Sequence, residues 1–303
     1  MSVFDRAVVR LLPAVPRRVV QRLSDRYIAG PTLDDARRTV ARLNAEGKLA
    51  TVDVLGEEVT KPAEAEAIAA AYHRALEAFE ADRLDANVSV KLTALGLEID
   101  LALCRRLLGE VVADAASRDT FVRIDMEHSA CSDDTLLLYR ELRESGRDNV
   151  GIVLQSCLKR SLPDVAALAE LRPSVRLCKG IYVEPPAIAY QGREQVRLSF
   201  LAVLDALLEA GSYVAVATHD EWLLERALPR LEGLAPEAYE LQMLLGVREE
   251  RAAELVDEGH RLRVYVPYGE RWYEYSLRRL QENPALAGML AKATLMRVVP
   301  GRR

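Results

Sequence analysis

The sequence predicts a (β/α)8 barrel of the TIM type with extra helices at its N-terminus. Short apolar, β-branched runs recur along the chain, and amphipathic stretches with helical spacing lie between them. Eight such runs alternating with helices indicate a parallel sheet, and eight units favour a closed barrel. A doubly wound open sheet is disfavoured, because it normally carries a Gly-rich phosphate turn and this chain has no G-x-G spacing.

The strands and helices can be placed in chain order from these patterns. The predicted strands are Ala50–Val54, Asn87–Thr93, Thr120–Met126, Val150–Gln155, Ser174–Cys178, Tyr213–Thr218, Tyr239–Met243 and Leu262–Val266. The amphipathic stretches include Ala63–Arg83, Leu101–Ser117, Asp133–Ser145, Gln191–Ala210 and Arg248–Glu258. Residues 1–48 are expected to form an N-terminal helical segment, and residues 49–303 are expected to form the barrel.

Composition restricts the class of protein. The chain has 303 residues, half of them hydrophobic, and a formal net charge of −5 at pH 7. This charge disfavours nucleic acid as the main partner, because phosphate binding needs a basic surface. The four cysteines show no CxxC spacing, no apolar run approaches the roughly 18 residues of a spanning helix, and no secretory leader is visible. A cytoplasmic protein is therefore expected.

The first 30 residues are rich in arginine and poor in acids. Their arginines, interleaved with Val, Leu and Ile, are Arg6, Arg10, Arg17, Arg18, Arg22 and Arg26. One interpretation is a pair of amphipathic helices lying on the anionic inner face of a membrane. The other is a pair of helices packed on the outside of the core. An organelle transit peptide fits less well.

Alternation along five strands predicts which polar side chains point into the barrel. Apolar residues at every second position face the helices, so the residues between them face inward. A purely structural interior prefers Val, Ile and Leu, because each buried charge must be paired at considerable cost. Five strands instead direct a polar side chain inward, and these are Lys91, Asp125, Gln155, Arg176 and Tyr265. Their convergence indicates a functional site.

The segment Tyr265–Asn283 reads as a strand end, a Pro/Gly turn and a helix. Spacings of three and four place four of its polar side chains on adjacent parts of one helical face, namely Tyr275, Arg278, Arg279 and Glu282. Such a set suits a small carboxylate ligand, because arginine binds carboxylates through two parallel hydrogen bonds. A solvated helix with an Arg–Glu pair is the alternative, but it does not account for the aromatic Trp272 and Tyr273.

The charged side chains together suit a small zwitterion. Three cations, Lys91, Arg278 and Arg279, would meet its carboxylate. Asp125 and Glu57 would neutralise the excess charge in its absence. Metal chemistry is not expected, because the sequence contains neither an HExxH nor a His-x-His motif. Serine hydrolysis is not supported either, because the sequence contains no GxSxG motif. A Schiff-base aldolase acting through Lys91 stays open, but it explains a pocket with three cations less well.

Seven segments resemble the FAD-dependent proline dehydrogenases and follow the order of that family. They span most of the chain from about Thr51 onward, which makes the resemblance far more specific than a single motif. The segments are Asp53–Glu57, Val88–Leu95, Arg123–Glu127, Val153–Gln155, Val175–Tyr182, Ala217–His219 and Tyr265–Asn283. The resemblance implies a distorted barrel with FAD across the C-terminal ends of its strands.

The resemblance also implies an activity. L-proline would be oxidised to 1-pyrroline-5-carboxylate with hydride transfer to FAD, which is the first step of proline catabolism. The electrons would pass to a membrane quinone or another acceptor, which would give the basic N-terminus a purpose. A separate pyrroline-5-carboxylate dehydrogenase would take the product.

Matching the family's segments assigns expected roles to individual residues. The residues expected to bind FAD are Val153, Gln155, Arg176, Lys179, Gly180, Tyr182, Thr218, His219, Gln242 and Glu282. Those expected to bind proline are Lys91, Leu244, Tyr265, Tyr275, Arg278 and Arg279. The catalytic set is Lys91, Asp125, Tyr265, Arg278 and Arg279. Glu57 would act as a gate, pairing with an arginine to close a lid.

Two other functions remain open from the sequence. One is a different flavin-dependent barrel oxidoreductase, such as a methylenetetrahydrofolate reductase. The other is an amino-acid-binding barrel without catalytic activity. The flavin spectrum separates all three, because only the proline enzyme would be both coloured and bleached by proline.

Overall fold

The computed structural model describes residues 26–56, 59–273 and 275–276. Within them, eight parallel strands form a closed barrel in chain order, which confirms the predicted fold. β8 closes the barrel by pairing with β1, where Val266 lies opposite Val52. The strands are β1 (Leu49–Val54), β2 (Ala86–Val90), β3 (Val122–Ile124), β4 (Val150–Gln155), β5 (Ser174–Cys178), β6 (Tyr213–Ala217), β7 (Tyr239–Leu244) and β8 (Leu262–Tyr268).

Helices connect these strands and cover the outside of the barrel. The described α-helices are α1 (Leu33–Ala45), α2 (Pro62–Ala81), α3 (Leu101–Ser117), α4 (Ser132–Glu144), α5 (Ser161–Leu168), α6 (Arg193–Glu209), α7 (Glu221–Leu231) and α8 (Glu249–Asp257). Each has an apolar stripe turned to the core, as in α3, where Leu107, Leu108 and Val111 are buried. None of the helices in the described ranges has the length and apolarity needed to cross a membrane.

The helix α1 precedes the first strand and packs against β1 and β8. Its N-terminus is fixed by a capping box, in which the backbone N–H of Asp35 donates to Thr32 Oγ1 (3.2 Å) and the N–H of Thr32 donates to Asp35 Oδ2 (3.0 Å). Ala36, Val40 and Leu43 form its buried face. Most of the arginine-rich start, residues 1–25, lies outside the described residues.

Strand β3 is shorter than the predicted Thr120–Met126. The backbone N–H of Thr120 donates to the carbonyl of Ala115 (2.9 Å), so this residue ends the preceding helix instead of starting the strand. The extended pattern in the sequence does not reveal that competing bond.

Strand β2 also ends before the predicted Thr93, at Val90, because a turn follows in which the N–H of Leu95 donates to the carbonyl of Lys91 (3.2 Å). The other six strands lie close to their predicted positions, and β8 continues as far as Tyr268.

The two faces of the barrel wall differ in polarity. Outward residues such as Val88, Ile124 and Ile152 are completely buried beneath the helices. Inward positions instead carry charged and amide side chains at two levels along the barrel axis. The upper level lies near the C-terminal strand ends, where the site is found.

Candidate active site

A buried ion pair joins the first two strands. Parallel pairing places Asp53 of β1 opposite Ser89 of β2, and Lys91 follows two residues later on the same inward face. Lys91 Nζ lies 2.5 Å from Asp53 Oδ2. Burial alone would disfavour the charged lysine, but Asp53, Tyr265 and Asp125 outweigh it and raise the pKa of Lys91 well above its usual range. Lys91 therefore stays cationic.

Tyr265 of β8 links this pair to Asp125, which follows β3. Its hydroxyl lies 3.0 Å from Lys91 Nζ, 2.8 Å from Asp53 Oδ2 and 3.0 Å from Asp125 Oδ2. Lysine donates, so the phenol accepts from Lys91 and donates to a carboxylate. Burial and the neighbouring carboxylates of Asp125 and Asp53 raise the pKa of Tyr265 well above its usual range. The phenol therefore keeps its proton.

Arg176 of β5 extends the network across the barrel. Its Nη1 donates to Asp125 Oδ1 (2.5 Å) and to Ser89 Oγ (3.0 Å). Its Nε donates to Gln242 Oε1 (2.6 Å). Its Nη2 is buried and has no hydrogen-bond partner among the described residues. A buried guanidinium donor without a partner is costly, so this atom indicates a ligand acceptor at Arg176.

A second charged level lies beneath this network. Arg263 Nε lies 3.0 Å from both carboxylate oxygens of Glu240, and Arg263 also donates to the carbonyl of Ala50 (2.7 Å). Glu240 accepts from Gln242 Nε2 (2.5 Å). Because the Gln242 amide donates downward to Glu240, it must present its oxygen upward to Arg176. The lower pair thereby fixes the orientation of the upper arginine.

One cavity of about 1020 Å³ opens over the C-terminal ends of the strands. It joins the network around Lys91 to a second, more basic region formed by the loops after β5 and β6. This size matches a cofactor together with a small substrate better than a small substrate alone. The strand ends of a TIM barrel are also where such sites are expected.

The basic region is centred on Asp220, which lies between β6 and α7. Its carboxylate accepts from Arg197 Nε (2.9 Å) and Lys179 Nζ (3.2 Å), and Arg193 lies 3.9 Å away. The hydrogen bond from Arg197 outweighs burial and, with help from Lys179, lowers the pKa of Asp220 to about 2. Three cations against one carboxylate leave positive charge for an anion such as a phosphate.

Gly180 forms a close part of the cavity wall. Its φ is +94°, and a Cβ added there would lie 2.3 Å from Cys157 Sγ and 2.8 Å from Gln155 Oε1. Only glycine fits, both in conformation and in space. Gln155 donates from Nε2 to the carbonyls of Met126 (3.2 Å) and Glu127 (2.8 Å). The sequence predicts a Gln155 contact with the cofactor, and the oxygen of this amide is the atom left for it.

Thr218 and His219 line the cavity and also form hydrogen bonds with backbone N–H groups. Thr218 Oγ1 accepts from the N–H of Asp220 (3.1 Å), so the side chain caps the end of β6. His219 Nε2 accepts from the N–H of Leu244 (2.9 Å). A neutral His219 therefore carries its proton on Nδ1.

The cavity brings together most of the residues expected from the sequence. Its lining includes Lys91, Asp125, Val153, Gln155, Arg176, Lys179, Gly180, Tyr182, Thr218, His219, Gln242, Leu244, Tyr265 and Tyr275. The remaining expected residues, Arg278, Arg279, Glu282 and Glu57, lie outside the described residues. Their roles stay predictions.

Comparison with known proteins identifies the family. The profile of the proline dehydrogenase family matches residues 36–292. The chain is 37% identical over 272 residues to proline dehydrogenase 1 of Bacillus subtilis subsp. natto, covering 89% of this chain and 90% of that relative. It is 35% identical over 289 residues to the proline dehydrogenase of Deinococcus radiodurans, covering 92% of each. The chain belongs to the proline dehydrogenase family.

A solved structure supports the same family and fold. The crystal structure of proline utilization A from Bdellovibrio bacteriovorus, inactivated by N-propargylglycine, matches with a TM-score of 0.83 at 25% identity. The match covers 93% of this chain and 36% of the other, so this chain spans about a third of that longer protein. These comparisons confirm the resemblance to the proline dehydrogenase family that the seven sequence segments indicated.

Some residues around the cavity of this proline dehydrogenase family member were not expected from the sequence. Asp53 was expected only as part of a family segment, although the parity that selects Lys91 also turns Asp53 inward. Arg193 and Arg197 are one helical turn apart, a spacing that favours a shared partner. Asp220, that partner, carries no local signal, because its cations come from the loop after β5 and from α6.

Proposed function

We propose that this protein oxidises L-proline to 1-pyrroline-5-carboxylate as a flavoenzyme. Membership of the proline dehydrogenase family supports the reaction class. The observation that carries the assignment of the site is the buried Nη2 of Arg176, which has no hydrogen-bond partner in the described part of the chain and lies within the network of Lys91 and Tyr265. Arg176 Nη2 is therefore a donor available to a ligand, and Lys91 is a buried cation that shares Asp125 with Arg176 at the open end of the barrel.

The substrate's carboxylate is assigned to the Lys91 side of the cavity. In the upper level, Lys91 and Arg176 carry two positive charges against Asp53 and Asp125. Because these charges balance, a bound carboxylate needs further cations. We assign that role to Arg278 and Arg279, whose predicted helical positions suit a pair of guanidiniums acting on one carboxylate.

The apolar ring of proline is assigned to the aromatic side of the same region. Tyr265 lies between Lys91 and Arg176, whose charged groups are 5.8 and 5.3 Å from its ring centroid. Leu244 and Tyr275 line the cavity nearby, and Tyr275 packs in a small apolar cluster with Ile28 and Leu55. An apolar wall opposite a cationic one matches a ligand whose charge lies at one end.

Three observations support the binding of FAD in the rest of the cavity. Arg176 offers a buried donor that no described residue satisfies, Gly180 lets the backbone approach closely, and the region around Asp220 provides cations for phosphates. When bound, FAD would accept the hydride that proline loses. The protein's own part is to hold Arg176 through Asp125 and Gln242, to keep Tyr265 protonated and to position the substrate carboxylate.

Several finer expectations belong to this proposal. The electrons would leave to a quinone-type acceptor, and the product would pass to a separate pyrroline-5-carboxylate dehydrogenase. The protein would be cytoplasmic, with residues 1–48 as a helical segment beside a catalytic barrel of residues 49–303. The arginines of that segment would support contact with an anionic membrane surface.

The visible absorption spectrum tests the proposal. The purified protein should show a flavin spectrum that bleaches when L-proline is added without oxygen, and NADPH should leave it unchanged. Bleaching by NADPH but not by proline would favour a different flavin barrel, such as a methylenetetrahydrofolate reductase. A protein that stays colourless after incubation with FAD but binds proline would favour a binding barrel.

A further inference from the structure

A compact group of potential metal ligands lies outside the site described above. Glu98 lies in the turn after β2, and His128 and Cys131 lie at the start and end of the short 3₁₀ turn after β3. One ligand atom from each residue lies within 4.8 Å of the others. The proline site uses none of the three. His128 and Cys131 are separated by two residues, a spacing common among metal ligands.

Glu98 and Cys131 both contact the imidazole of His128. Glu98 Oε1 lies 3.2 Å from Nε2, whereas Cys131 Sγ lies 3.4 Å from Nε2 and 3.8 Å from Nδ1. A ring nitrogen has either one proton or one lone pair, so it satisfies only one of these partners by hydrogen bonding. An ion between the three side chains would instead be ligated by all of them, since their ligand atoms lie within 4.8 Å of one another.

The distances match those between ligands of a tetrahedral zinc ion. With usual zinc bond lengths, a nitrogen and an oxygen ligand lie about 3.4 Å apart, and a nitrogen and a sulfur ligand about 3.6 Å apart. The observed separations are each within about 0.2 Å of these values. Because Cys131 Sγ also lies 3.8 Å from Nδ1, the thiol lies beside the ring, so the imidazole must turn to point Nε2 at an ion shared with the thiol.

A catalytic Cys–His–acid arrangement does not account for this cluster. In such an arrangement the acid and the thiol contact opposite ring nitrogens, so that the acid orients the base. Here Glu98 contacts the same nitrogen that lies nearest the thiol, since Cys131 Sγ is 3.8 Å from Nδ1. The geometry therefore favours coordination over nucleophile activation.

We propose that Glu98, His128 and Cys131 bind Zn²⁺ and leave one coordination position open. A thiolate, an imidazole and a carboxylate form a typical ligand set for zinc, whereas Mg²⁺ and Ca²⁺ prefer oxygen ligands only. The ion would join the loop after β2 to the loop after β3. His128 also packs edge-on against Tyr182, with ring centroids 6.2 Å apart, so the ion would sit beside the wall of the main cavity.

Titration of the metal-free holoenzyme with Zn²⁺ against a chromophoric chelator tests this site. The intact protein should bind one equivalent, and His128→Gln and Cys131→Ser should weaken binding at least tenfold. His73→Gln is the matched control, because His73 also pairs with a carboxylate, Asp114, but belongs to no group of potential metal ligands among the described residues. It should bind Zn²⁺ as the intact protein does.

Co²⁺ provides a second measurement that reports on the ligand itself. A thiolate-to-cobalt charge-transfer band should appear in the intact protein and in Cys104→Ser, whose buried thiol lies outside the cluster. The band should be absent in Cys131→Ser. Equal Zn²⁺ affinity in the intact protein and in His128→Gln would overturn the proposal, as would a cobalt complex without the band. His128 is partly exposed, so its variant should fold even if Cys131→Ser does not. Neither result depends on proline oxidation.

Discussion

Lys91 and Asp53 form an ion pair at the centre of the barrel, with Lys91 Nζ 2.5 Å from Asp53 Oδ2 and the Asp53 side chain fully buried. The two residues lie on neighbouring strands and 38 positions apart in the chain. Tyr265 contacts both members of the pair. Lys91, which we propose binds the substrate, therefore depends on the buried carboxylate of Asp53.

Replacement of Asp53 by asparagine should destabilise the protein, because it leaves a buried lysine with less compensating charge. Breaking such a pair costs on the order of 3 kcal/mol in the free energy of unfolding. Urea unfolding of the flavin-free protein measures this cost. The exposed pair of Arg37 and Asp82 supplies the control, since Asp82→Asn removes a solvent-screened ion pair and should lower the free energy of unfolding far less. Equal effects of both substitutions would contradict the central role of the Asp53 pair.

Gly180→Ala should cost stability and FAD affinity together. The added Cβ would meet Cys157 Sγ at 2.3 Å in a backbone conformation with φ of +94°. Gly259→Ala measures the loss of stability that comes from backbone conformation alone, because Gly259 has a φ of +90° and nothing within 4 Å of its added Cβ. The free energy of unfolding of the Gly259→Ala control should fall by about 1 kcal/mol, and this variant should bind FAD as the intact protein does. Gly180→Ala should lose more and bind FAD at least tenfold more weakly, as measured by fluorescence titration.

Arg176→Lys should shift the flavin midpoint potential and weaken FAD binding. A lysine cannot replace the guanidinium, because one ammonium cannot reach Gln242, Asp125 and the cavity in the same geometry. Spectroelectrochemistry measures the potential of the bound flavin. Arg105→Lys is the control, since Arg105 pairs with Glu141 and is not among the residues that line the cavity. An unchanged potential in Arg176→Lys would remove this arginine from the flavin site.

The kcat/KM for proline should rise toward alkaline pH and show no falling limb below about pH 10. Proline must lose its amine proton before it can release hydride, so a higher pH increases the reactive form. Both Lys91 and Tyr265 have pKa values raised well above their usual 10.5 and 10.0, so both keep their protons across this range. Steady-state kinetics measured from pH 6 to pH 10 tests this profile. An optimum in mild acid would contradict it.

The barrel and the inward side chains could be predicted because both follow from local periodicity. Alternation along β2, β3 and β5 suffices to turn Lys91, Asp125 and Arg176 inward before any contact is known. Strand ends were less predictable. The end of β3 depends on a hydrogen bond from Thr120 to the carbonyl of Ala115, which competes with the extended pattern.

The partners of each side chain could not be read from the sequence. Gln155 was expected at the cofactor, but its amide N–H groups are used by the carbonyls of Met126 and Glu127. Lys179 meets Asp220 only because closure of the barrel brings the loops after β5 and β6 together. Such pairings depend on three-dimensional contacts between distant segments, which the period of one strand does not encode. The expected carboxylate clamp, Arg278 and Arg279, lies outside the described residues.

The measurement that tests the central claim most directly is the rate at which L-proline bleaches the bound flavin. Oxygen-free holoenzyme and its Lys91→Met variant would be mixed rapidly with increasing proline, and the flavin absorbance would be followed. The intact protein should bleach completely with saturable dependence on proline. Lys91→Met should remain yellow at rest and need at least tenfold more proline for half-maximal rate. Equal half-saturation in both proteins would contradict a proline site built on the Lys91 network.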